Sequence, residues 1–278
     1  MIPALVRLCR PYYAVPMALA YALTLYYARG GEMAGVWAGL LFSTAALGLV
    51  IAAAYVLNDV LDLAVDRVNA AGRPIPLGLV SRGAAAVWGA VLLAGGLGLA
   101  LGARPAFAAA LAVVAAALVV YDLTSKRLGI GKPLLVAALM TSMYPLAIVQ
   151  ADGAGGSRAP SLAVFAAWMF LTAFGYEVLK DIRDICGDRA AAEQAFDVQR
   201  RPAVWRRVAD AVLLLAALGL VLPLFLGCRW VYMAVASVAM ACAVASVFLP
   251  VRRAIHLIYA ECFLVGVAAT ADAVIFGF

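Results

Sequence analysis

Charge is scarce in this sequence: Asp, Glu, Lys and Arg together make up 13% of its 278 residues. Nitrogen and sulfur ligands are scarce too, with one histidine, His256, and five scattered cysteines that form no C-x-x-C pair. This shortage argues against a zinc site and against a disulfide framework. A soluble domain is also excluded, because 67% of the residues are hydrophobic, whereas roughly 45–50% are apolar in soluble domains.

The abundant feature is a series of nine long apolar segments. Each has about 20 residues, which is enough to cross about 30 Å of hydrocarbon as a helix. The sequence therefore predicts an all-α, polytopic membrane bundle of nine transmembrane helices. Arg7 and Arg10 precede the first segment, which leads directly into further spans, so we do not expect a cleavable signal peptide. The predicted spans are 12–28, 34–57, 83–102, 105–121, 133–150, 161–179, 208–227, 230–249 and 255–276.

Basic residues are distributed unevenly between the two sets of connections that nine spans create. One set holds 17 of the 21 Lys and Arg residues, including those that precede the first span. Because basic residues concentrate on the cytoplasmic side, the N-terminus is predicted in the cytoplasm and the C-terminus outside. Topology and attraction to anionic lipid heads account for the net charge of +6. We therefore expect membrane lipids as partners, no nucleic acid, and a multi-pass protein of the cell membrane with its active site facing the cytoplasm.

Two acidic stretches interrupt the apolar pattern, "NDVLDLAVD" at 58–66 and "KDIRDICGD" at 180–188. Their aspartates have the same gaps and lie 122 positions apart, and an arginine follows each stretch. Acid at membrane depth is costly and contributes nothing to topology, so a functional role is indicated. The aspartates are Asp59, Asp62 and Asp66 in the first stretch and Asp181, Asp184 and Asp188 in the second, and the arginines are Arg67 and Arg189.

The acidic stretches follow the second and the sixth spans, which predicts two four-helix repeats with a ninth helix added. The repeats belong to a single transmembrane domain over residues 1–278, with halves at about 1–128 and 129–250 and the ninth helix at 255–276. An even number of spans keeps both copies in the same orientation, so we expect the acidic clusters to face each other. The glycines of "GGLG" at 95–98 lie within a span and are interpreted as helix packing rather than a nucleotide loop.

The spacing of the first stretch indicates metal chemistry. If the stretch continues its helix, the three aspartates at i, i+3 and i+7 lie on one stripe, and Asn58 lies one turn before Asp62. Neighbouring carboxylates repel each other, and a bound cation relieves that repulsion. Oxygen ligands favour Mg²⁺, which usually binds carboxylates together with substrate phosphate oxygens. The predicted metal ligands are Asp59, Asp62, Asp66, Asp181, Asp184 and Asp188, and all of these except Asp181 are also predicted to be catalytic.

Polar and basic side chains near these stretches are candidates for binding the phosphate oxygens that a metal leaves free. The alternative, that most basic residues only set topology, stays open. A diphosphate held at the membrane face with its tail among apolar helices describes an isoprenyl diphosphate, such as geranylgeranyl diphosphate. Cations would stabilise the leaving diphosphate as the C1–O bond ionises. The predicted diphosphate-binding residues are Asn58, Arg67, Arg73, Lys126, Lys180 and Arg189.

These motifs resemble those of the UbiA superfamily of intramembrane prenyltransferases. "NDVLDLAVD" is similar to the family's N-D-x-x-D-x-x-x-D, "DICGD" to its D-x-x-x-D, and "CRP" at 9–11 to the start of its first helix. The loop "DRVNAAGRPIPLGLVS" also resembles that of the family. The resemblance implies a nine-helix bundle with a central cavity, Mg²⁺-dependent prenyl transfer, and aspartates that bind metal and diphosphate. One position differs from the family pattern. Many members have Y-x-x-x-K after the fourth span, whereas "YDLTSKR" has Ser125 at the position of that lysine and Lys126 one residue later.

The acceptor is predicted from fewer residues. "YEVLKDIRDICGD" with "RPIPLGLVS" is similar to branches that use geranylgeranylglyceryl phosphate or homogentisate, so we predict a prenyltransferase with a lipid-like acceptor. The alternatives are an aromatic acceptor of the homogentisate or hydroxybenzoate type, a terpene cyclase, and an ion-coupled transporter. Against the transporter, the acidic stretches lie at helix ends rather than at midplane. Glu261 and Asp272 in the last span are further functional candidates, although Asp272 also fits a position near the outer surface.

Overall fold

The computed structural model describes residues 2–124, 128–190 and 197–278, apart from the side chains of residues 186–190, 197 and 199. Within these residues every regular element is a helix, as the all-α prediction requires. The helices are α1 (Ile2–Leu8), α2 (Pro11–Ala28), α3 (Trp37–Leu61), α4 (Leu63–Asn69), α5 (Arg82–Ala100), α6 (Pro105–Thr124), α7 (Gly131–Thr141), α8 (Met143–Ala151), α9 (Ser161–Ala190), α10 (Asp197–Arg200), α11 (Pro202–Gly219), a 3₁₀ helix (Leu222–Leu226), α12 (Trp230–Val247) and α13 (Val251–Phe276).

Eight segments of the described chain are helical, long and apolar enough to cross a membrane. The helix Pro11–Ala28, predicted as the first span, is present with 18 residues but is not among the eight. Its sequence contains several tyrosines and two prolines, which lower its mean hydropathy. The count of nine spans and the orientation of the N-terminus stay predictions. The eight segments are Trp37–Leu61, Arg82–Ala100, Pro105–Thr124, Gly131–Ala151, Ser161–Ile185, Pro202–Leu226, Trp230–Val247 and Val251–Phe276.

The predicted span 133–150 is interrupted at Ser142, where α7 ends and α8 begins. Pro145 explains the interruption, because a proline within a helix lacks an N–H and its ring clashes with the carbonyl four residues earlier, here that of Thr141. The hydroxyls of Thr141 and Ser142 donate to carbonyls of the preceding turn, over 2.8 and 2.6 Å. A segment that hydropathy treats as one span is therefore two helices.

By its internal contacts the chain forms two compact units. The first comprises Met1–Ala22, Ala34–Leu128 and Asp184–Gln194, and the second comprises Leu23–Met33, Gly129–Arg183 and Ala195–Phe278. Each unit has its own apolar core. Ala53 and Val56 of α3 are fully buried in the first core, and Tyr232 and Ala268 are fully buried in the second.

Close packing of α3 against α5 in the first unit depends on two glycines of α5. A Cβ atom added to Gly89 would lie 2.9 Å from Leu57 Cδ2, and one added to Gly96 would lie 2.9 Å from the carbonyl oxygen of Ala46. Real Cβ atoms do not approach other atoms so closely. Leu57 has a flexible side chain that can move aside, but the Ala46 carbonyl is backbone, so a larger residue at Gly96 would push the two helices apart. This agrees with the interpretation of "GGLG" as a packing sequence. It also fixes α3, which carries the first acidic motif.

Asp272 organises one end of the second unit and has a structural explanation. Its carboxylate is completely buried and pairs with Arg158 over 2.5 Å. It also accepts hydrogen bonds from the backbone N–H groups of Arg229 and Tyr232, each over 2.9 Å, at the start of α12. The side chain thereby neutralises a buried arginine and satisfies donors at a helix N-terminus.

Glu261, the other acid predicted in the last span, is also completely buried within the second unit. Its Oε1 accepts a hydrogen bond from the indole N–H of Trp168 over 3.0 Å. The residue therefore links α13 to α9 through a polar contact inside an apolar core.

Candidate active site

The first acidic motif is divided between two helices rather than carried by one. Helix α3 ends at Leu61, α4 begins at Leu63, and Asp62 lies between them with φ −92° and ψ 17°. The backbone hydrogen bonds still continue through this point, from Asp62 N–H to Asn58 O over 2.8 Å and from Asp66 N–H to Asp62 O over 2.9 Å. The predicted continuous helix is therefore interrupted at one residue, and the three aspartates lie on three different structural segments.

Arg73 connects the first and last aspartates of this motif. Its Nη1 contacts Asp59 Oδ1 over 3.2 Å and also pairs with Asp66 Oδ1. Both carboxylates are buried, with exposures of 2% for Asp59 and 4% for Asp66. Burial raises the pKa of Asp66, and the Arg73 guanidinium offsets only part of that increase. Burial lowers the pKa of Arg73 itself, but Asp59 and Asp66 raise it by more, so the net direction is upward.

Arg10 is a second cation of this site, and it was not among the predicted site residues. It pairs with Asp59 Oδ1, and its guanidinium lies 4.9 Å from the centre of the Tyr55 ring. Its backbone has a φ of 44°, which is uncommon for a residue with a side chain and unfavourable before a proline such as Pro11. Such backbone strain often occurs at functional sites. The resemblance of "CRP" to the family's first helix was the available signal.

Asp122 is a further carboxylate that the sequence analysis missed. It lies near the end of α6, is 9% exposed, and lies beside Asn58 and Asp62. Asn58 donates to Asp62 Oδ2 over 2.9 Å and its side chain is also within hydrogen-bonding reach of Asp122. The Asn58 amide thus lies between the carboxylates of Asp62 and Asp122, and the first unit contains four neighbouring aspartates.

The chemistry of these donors fits a hard cation. The ligands on offer are carboxylate and amide oxygens, which Mg²⁺ prefers. Asp66 Oδ2 is buried and accepts no hydrogen bond from the residues that the structure describes, as expected of an oxygen reserved for a ligand. Among the described residues, no three His, Cys, Asp or Glu side chains lie close enough together to hold a metal ion as they stand. In this arrangement Arg10 and Arg73 supply the positive charge beside the carboxylates.

The second acidic motif lies on one continuous helix, α9. Asp181 is 7% exposed and pairs with Lys132 Nζ over 2.5 Å. Lys180 pairs with Glu177 over 2.7 Å and its Nζ lies 5.7 Å from the centre of the Tyr176 ring. Lys132 was counted only as a topology charge in the sequence, so its pairing with Asp181 is a contact that sequence analysis missed.

A backbone contact joins the end of the first motif to the second. The side-chain amide of Asn69, the last residue of α4, donates to the carbonyl oxygen of Asp184 over 2.9 Å. Both residues belong to the first compact unit. The structure therefore brings Asp184 to the helix that carries Asp66.

The sequence model of the UbiA prenyltransferase family matches residues 14–256. The chain belongs to the UbiA prenyltransferase family. The digeranylgeranylglyceryl phosphate synthase of Methanoregula boonei is a relative with 35% identity over 181 residues, which cover 65% of this chain and 62% of that protein. The chain thus spans less than two thirds of this relative's length.

Solved structures show the same fold as this UbiA family chain. A structure from work on digeranylgeranylglyceryl phosphate synthase in membranes aligns with a TM-score of 0.74 at 18% identity and covers 99% of both chains. A UbiA homolog from Archaeoglobus fulgidus bound to GPP and Mg²⁺ aligns with a TM-score of 0.73 at 13% identity, covering 97% of this chain and 99% of that one.

Several site residues predicted from the sequence are not brought to the site within the described part of the structure. Lys126 lies outside the described residues, as do the side chains of Asp188 and Arg189. Arg67 is exposed on α4 and is not among the residues brought onto the buried carboxylates. The described cations nearest the first motif are instead Arg73, which was predicted, and Arg10, which was not.

Proposed function

We propose that this UbiA family member is an intramembrane, Mg²⁺-dependent prenyltransferase. It transfers the prenyl group of an isoprenyl diphosphate, such as geranylgeranyl diphosphate, to a lipid-like acceptor, for which geranylgeranylglyceryl phosphate is our best candidate. Family membership supports the reaction class, and the name of the Methanoregula boonei relative supports the acceptor. The observation that carries the proposal is the pair of buried carboxylates, Asp59 and Asp66, sharing the guanidinium of Arg73.

That arrangement suits a diphosphate with its metal better than it suits a purely structural ion pair. A structural pair needs one carboxylate per cation, whereas here Asp59, Asp62, Asp66 and Asp122 lie close together. In addition, Asp66 Oδ2 is buried and no described residue donates a hydrogen bond to it. Each such charge is expensive to bury, and functional sites are where that cost is tolerated. In the proposed site, the carboxylates whose charges are costly to bury are the ligands of the metal.

The metal would be held by the carboxylates of the two motifs. When bound, Mg²⁺ would neutralise the diphosphate and stabilise it as a leaving group. The UbiA homolog bound to GPP and Mg²⁺ supports this choice of ion. The contact between Asn69 and Asp184 supports a joint site, because it holds part of the second motif beside α4. The proposed ligands are Asp59, Asp62, Asp66, Asp184 and Asp188, with Asp181 predicted as a further ligand from the sequence.

The basic residues would bind the leaving group. Arg73 contacts Asp59 and Asp66 through Nη1, and its Nε and Nη2 also carry N–H donors that suit phosphate oxygens. As the C1–O bond breaks, its electron pair leaves with the diphosphate, and Arg73 and Arg10 stabilise the added negative charge. Asn58 keeps Asp62 oriented through its amide. Arg67, Lys126, Lys180 and Arg189 are the further candidates from the sequence.

The apolar helices would protect the resulting allylic cation from water until the acceptor hydroxyl bonds to C1 and loses its proton. The excess of basic residues on one set of connections supports an active site that faces the cytoplasm, with the N-terminus on the same side. We place the protein in the cell membrane as a multi-pass enzyme on the same grounds.

The test is a product screen with the purified protein in detergent, Mg²⁺ and geranylgeranyl diphosphate. Geranylgeranylglyceryl phosphate, homogentisate and 4-hydroxybenzoate are offered separately, and products are identified by mass spectrometry. We expect a prenyl ether with the first acceptor. A prenylated aromatic product would mean that the acceptor is aromatic. A cyclic hydrocarbon formed without any acceptor would mean that the protein is a cyclase and not a transferase.

The site itself is tested by Asp62→Ala and Asp184→Ala. We expect each variant to lower Mg²⁺-dependent diphosphate release by about 100-fold or more, by analogy with the loss of other charge-stabilising groups. Glu32→Ala is the matched control, because Glu32 is an exposed acid in the connection between α2 and α3. Undiminished release in both aspartate variants would remove the proposed site.

A further inference from the structure

Two ion pairs in different parts of the chain have the same sequence relationship. Arg10 pairs with Asp59, and Lys132 pairs with Asp181, and in each pair 49 positions separate the partners. Both basic residues directly precede a proline near the start of a helix, Arg10 before Pro11 of α2 and Lys132 before Pro133 of α7. Since Asp59 and Asp181 are the first aspartates of the two motifs, Lys132 is the counterpart of Arg10 in the second repeat.

Both pairs are also built alike in burial. The aspartate is the more buried partner, with side-chain exposures of 2% for Asp59 and 10% for Asp181. The cation is less buried, at 13% for Arg10 and 25% for Lys132. In each case a cation from the start of a repeat's first helix neutralises a carboxylate at the start of a motif. A shared spacing, a shared position before proline and a shared partner argue against coincidence.

We infer that Lys132 is a positioning residue of the reaction, which holds α9 at Asp181 so that the later aspartates of the motif are correctly placed. Asp184 follows on the same helix three residues after Asp181. In this assignment Asp181 is an anchor rather than the metal ligand predicted from the sequence, and Asp184 and Asp188 are left for the metal. The inference rests on the proposed function and extends it to a residue on α7.

The two repeats differ at the position that Arg73 occupies in the first. Asp59 contacts Arg73 as well as Arg10. The position 122 residues after Arg73 is Ala195, which carries no charge. The second motif therefore has no counterpart of Arg73 at the corresponding position of the sequence.

The experiment compares Lys132→Met, Lys132→Arg and the double variant Lys132→Met/Asp181→Asn. Loss of a residue that orients metal ligands typically costs 10- to 100-fold in metal affinity or activity, and we expect Lys132→Met to raise the half-saturating Mg²⁺ concentration by about that factor. Lys132→Arg retains the charge and should stay near wild type. The double variant should recover most of the loss, because it removes the carboxylate that Lys132→Met leaves uncompensated.

A second readout does not depend on turnover. Thermal unfolding in detergent is measured for Lys132→Met, Asp181→Asn and the double variant. Coupling predicts that the double variant loses less thermal stability than the two single variants combined. Asp210→Asn is the matched control, since Asp210 forms an ion pair with Arg206 over 2.8 Å within one helix, α11.

The outcomes separate this inference from the proposed function. Equal impairment of Lys132→Met and the double variant would mean that Lys132 acts on the substrate rather than through Asp181, and additive unfolding would mean that the pair is not coupled. Either result overturns the inference. Absence of diphosphate release by the wild-type protein would overturn the proposed function instead, while the unfolding cycle would still report on the pair.

Discussion

Replacement of Gly96 by alanine tests whether the position of α3 depends on its contact with α5. The added Cβ would lie 2.9 Å from both the Ala46 carbonyl oxygen and Val50 Cγ2, so α3 must shift. Overpacking of this kind costs about 1–3 kcal/mol, and the better helix propensity of alanine returns at most about 1 kcal/mol. We therefore expect Gly96→Ala to lower the free energy of unfolding by about 1–2 kcal/mol.

Gly98→Ala is the matched control on the same helix. A Cβ at this position meets nothing within 4 Å, so the variant keeps the propensity gain without the clash. It should be neutral or more stable by up to about 1 kcal/mol. Both variants are unfolded by titration with SDS from mild detergent micelles, with tryptophan fluorescence as the signal. Because α3 carries Asp59, we also expect product formation to fall several-fold in Gly96→Ala and to persist in Gly98→Ala. Equal stability of the two variants would refute the tight contact.

Three further predictions follow from the buried charges. Asp272→Ala leaves Arg158 buried without its partner and should cost about 3–5 kcal/mol of unfolding free energy, measured by the same titration, with Asp272→Asn less severe. Arg73→Met should lower kcat/KM for the prenyl diphosphate by about 100-fold, and an unchanged kcat/KM would remove Arg73 from the site. Because burial raises the pKa of Asp66 and metal ligands must be deprotonated, the half-saturating Mg²⁺ concentration should rise on acidification at a pH above the usual aspartate range of about 4. The stability of the metal-free protein depends on pH in the opposite direction: the contribution of Asp66 is lost as pH rises through its raised pKa, and Asp66→Asn should weaken both dependences.

The parts of the structure that the sequence predicts are those set by local rules. Apolar runs predict helices, and the spacing of "NDVLDLAVD" and "KDIRDICGD" predicts two related acidic motifs, because both patterns are complete within a few turns. The glycines of α5 are another example, since a small residue inside an apolar helix indicates close packing before any partner is known. Hydropathy was less informative for α2, where polar rings on an otherwise apolar helix lower the signal.

The partners of the carboxylates could not be predicted in the same way. Arg10 and Lys132 are each 49 positions from their aspartates, and no periodicity connects such distant residues. Both lie on the side where the positive-inside rule already explains a basic residue. Nothing in the sequence therefore indicated that they also pair with aspartates. Asp122 was missed for a related reason, because it is a single acid within "YDLTSKR" and has no repeat or spacing to distinguish it. These contacts depend on tertiary packing.

The interruption at Asp62 has a mechanical consequence. It divides the motif between a 25-residue helix that is packed along its length and a short arm of seven residues. The arm carries Asp66 and ends at Asn69, whose side chain contacts the backbone of α9. Two backbone hydrogen bonds hold the start of the arm to α3, and the Asn69 contact holds its end to α9. A ligand that binds Asp66 therefore acts on a short segment that is fixed at both ends.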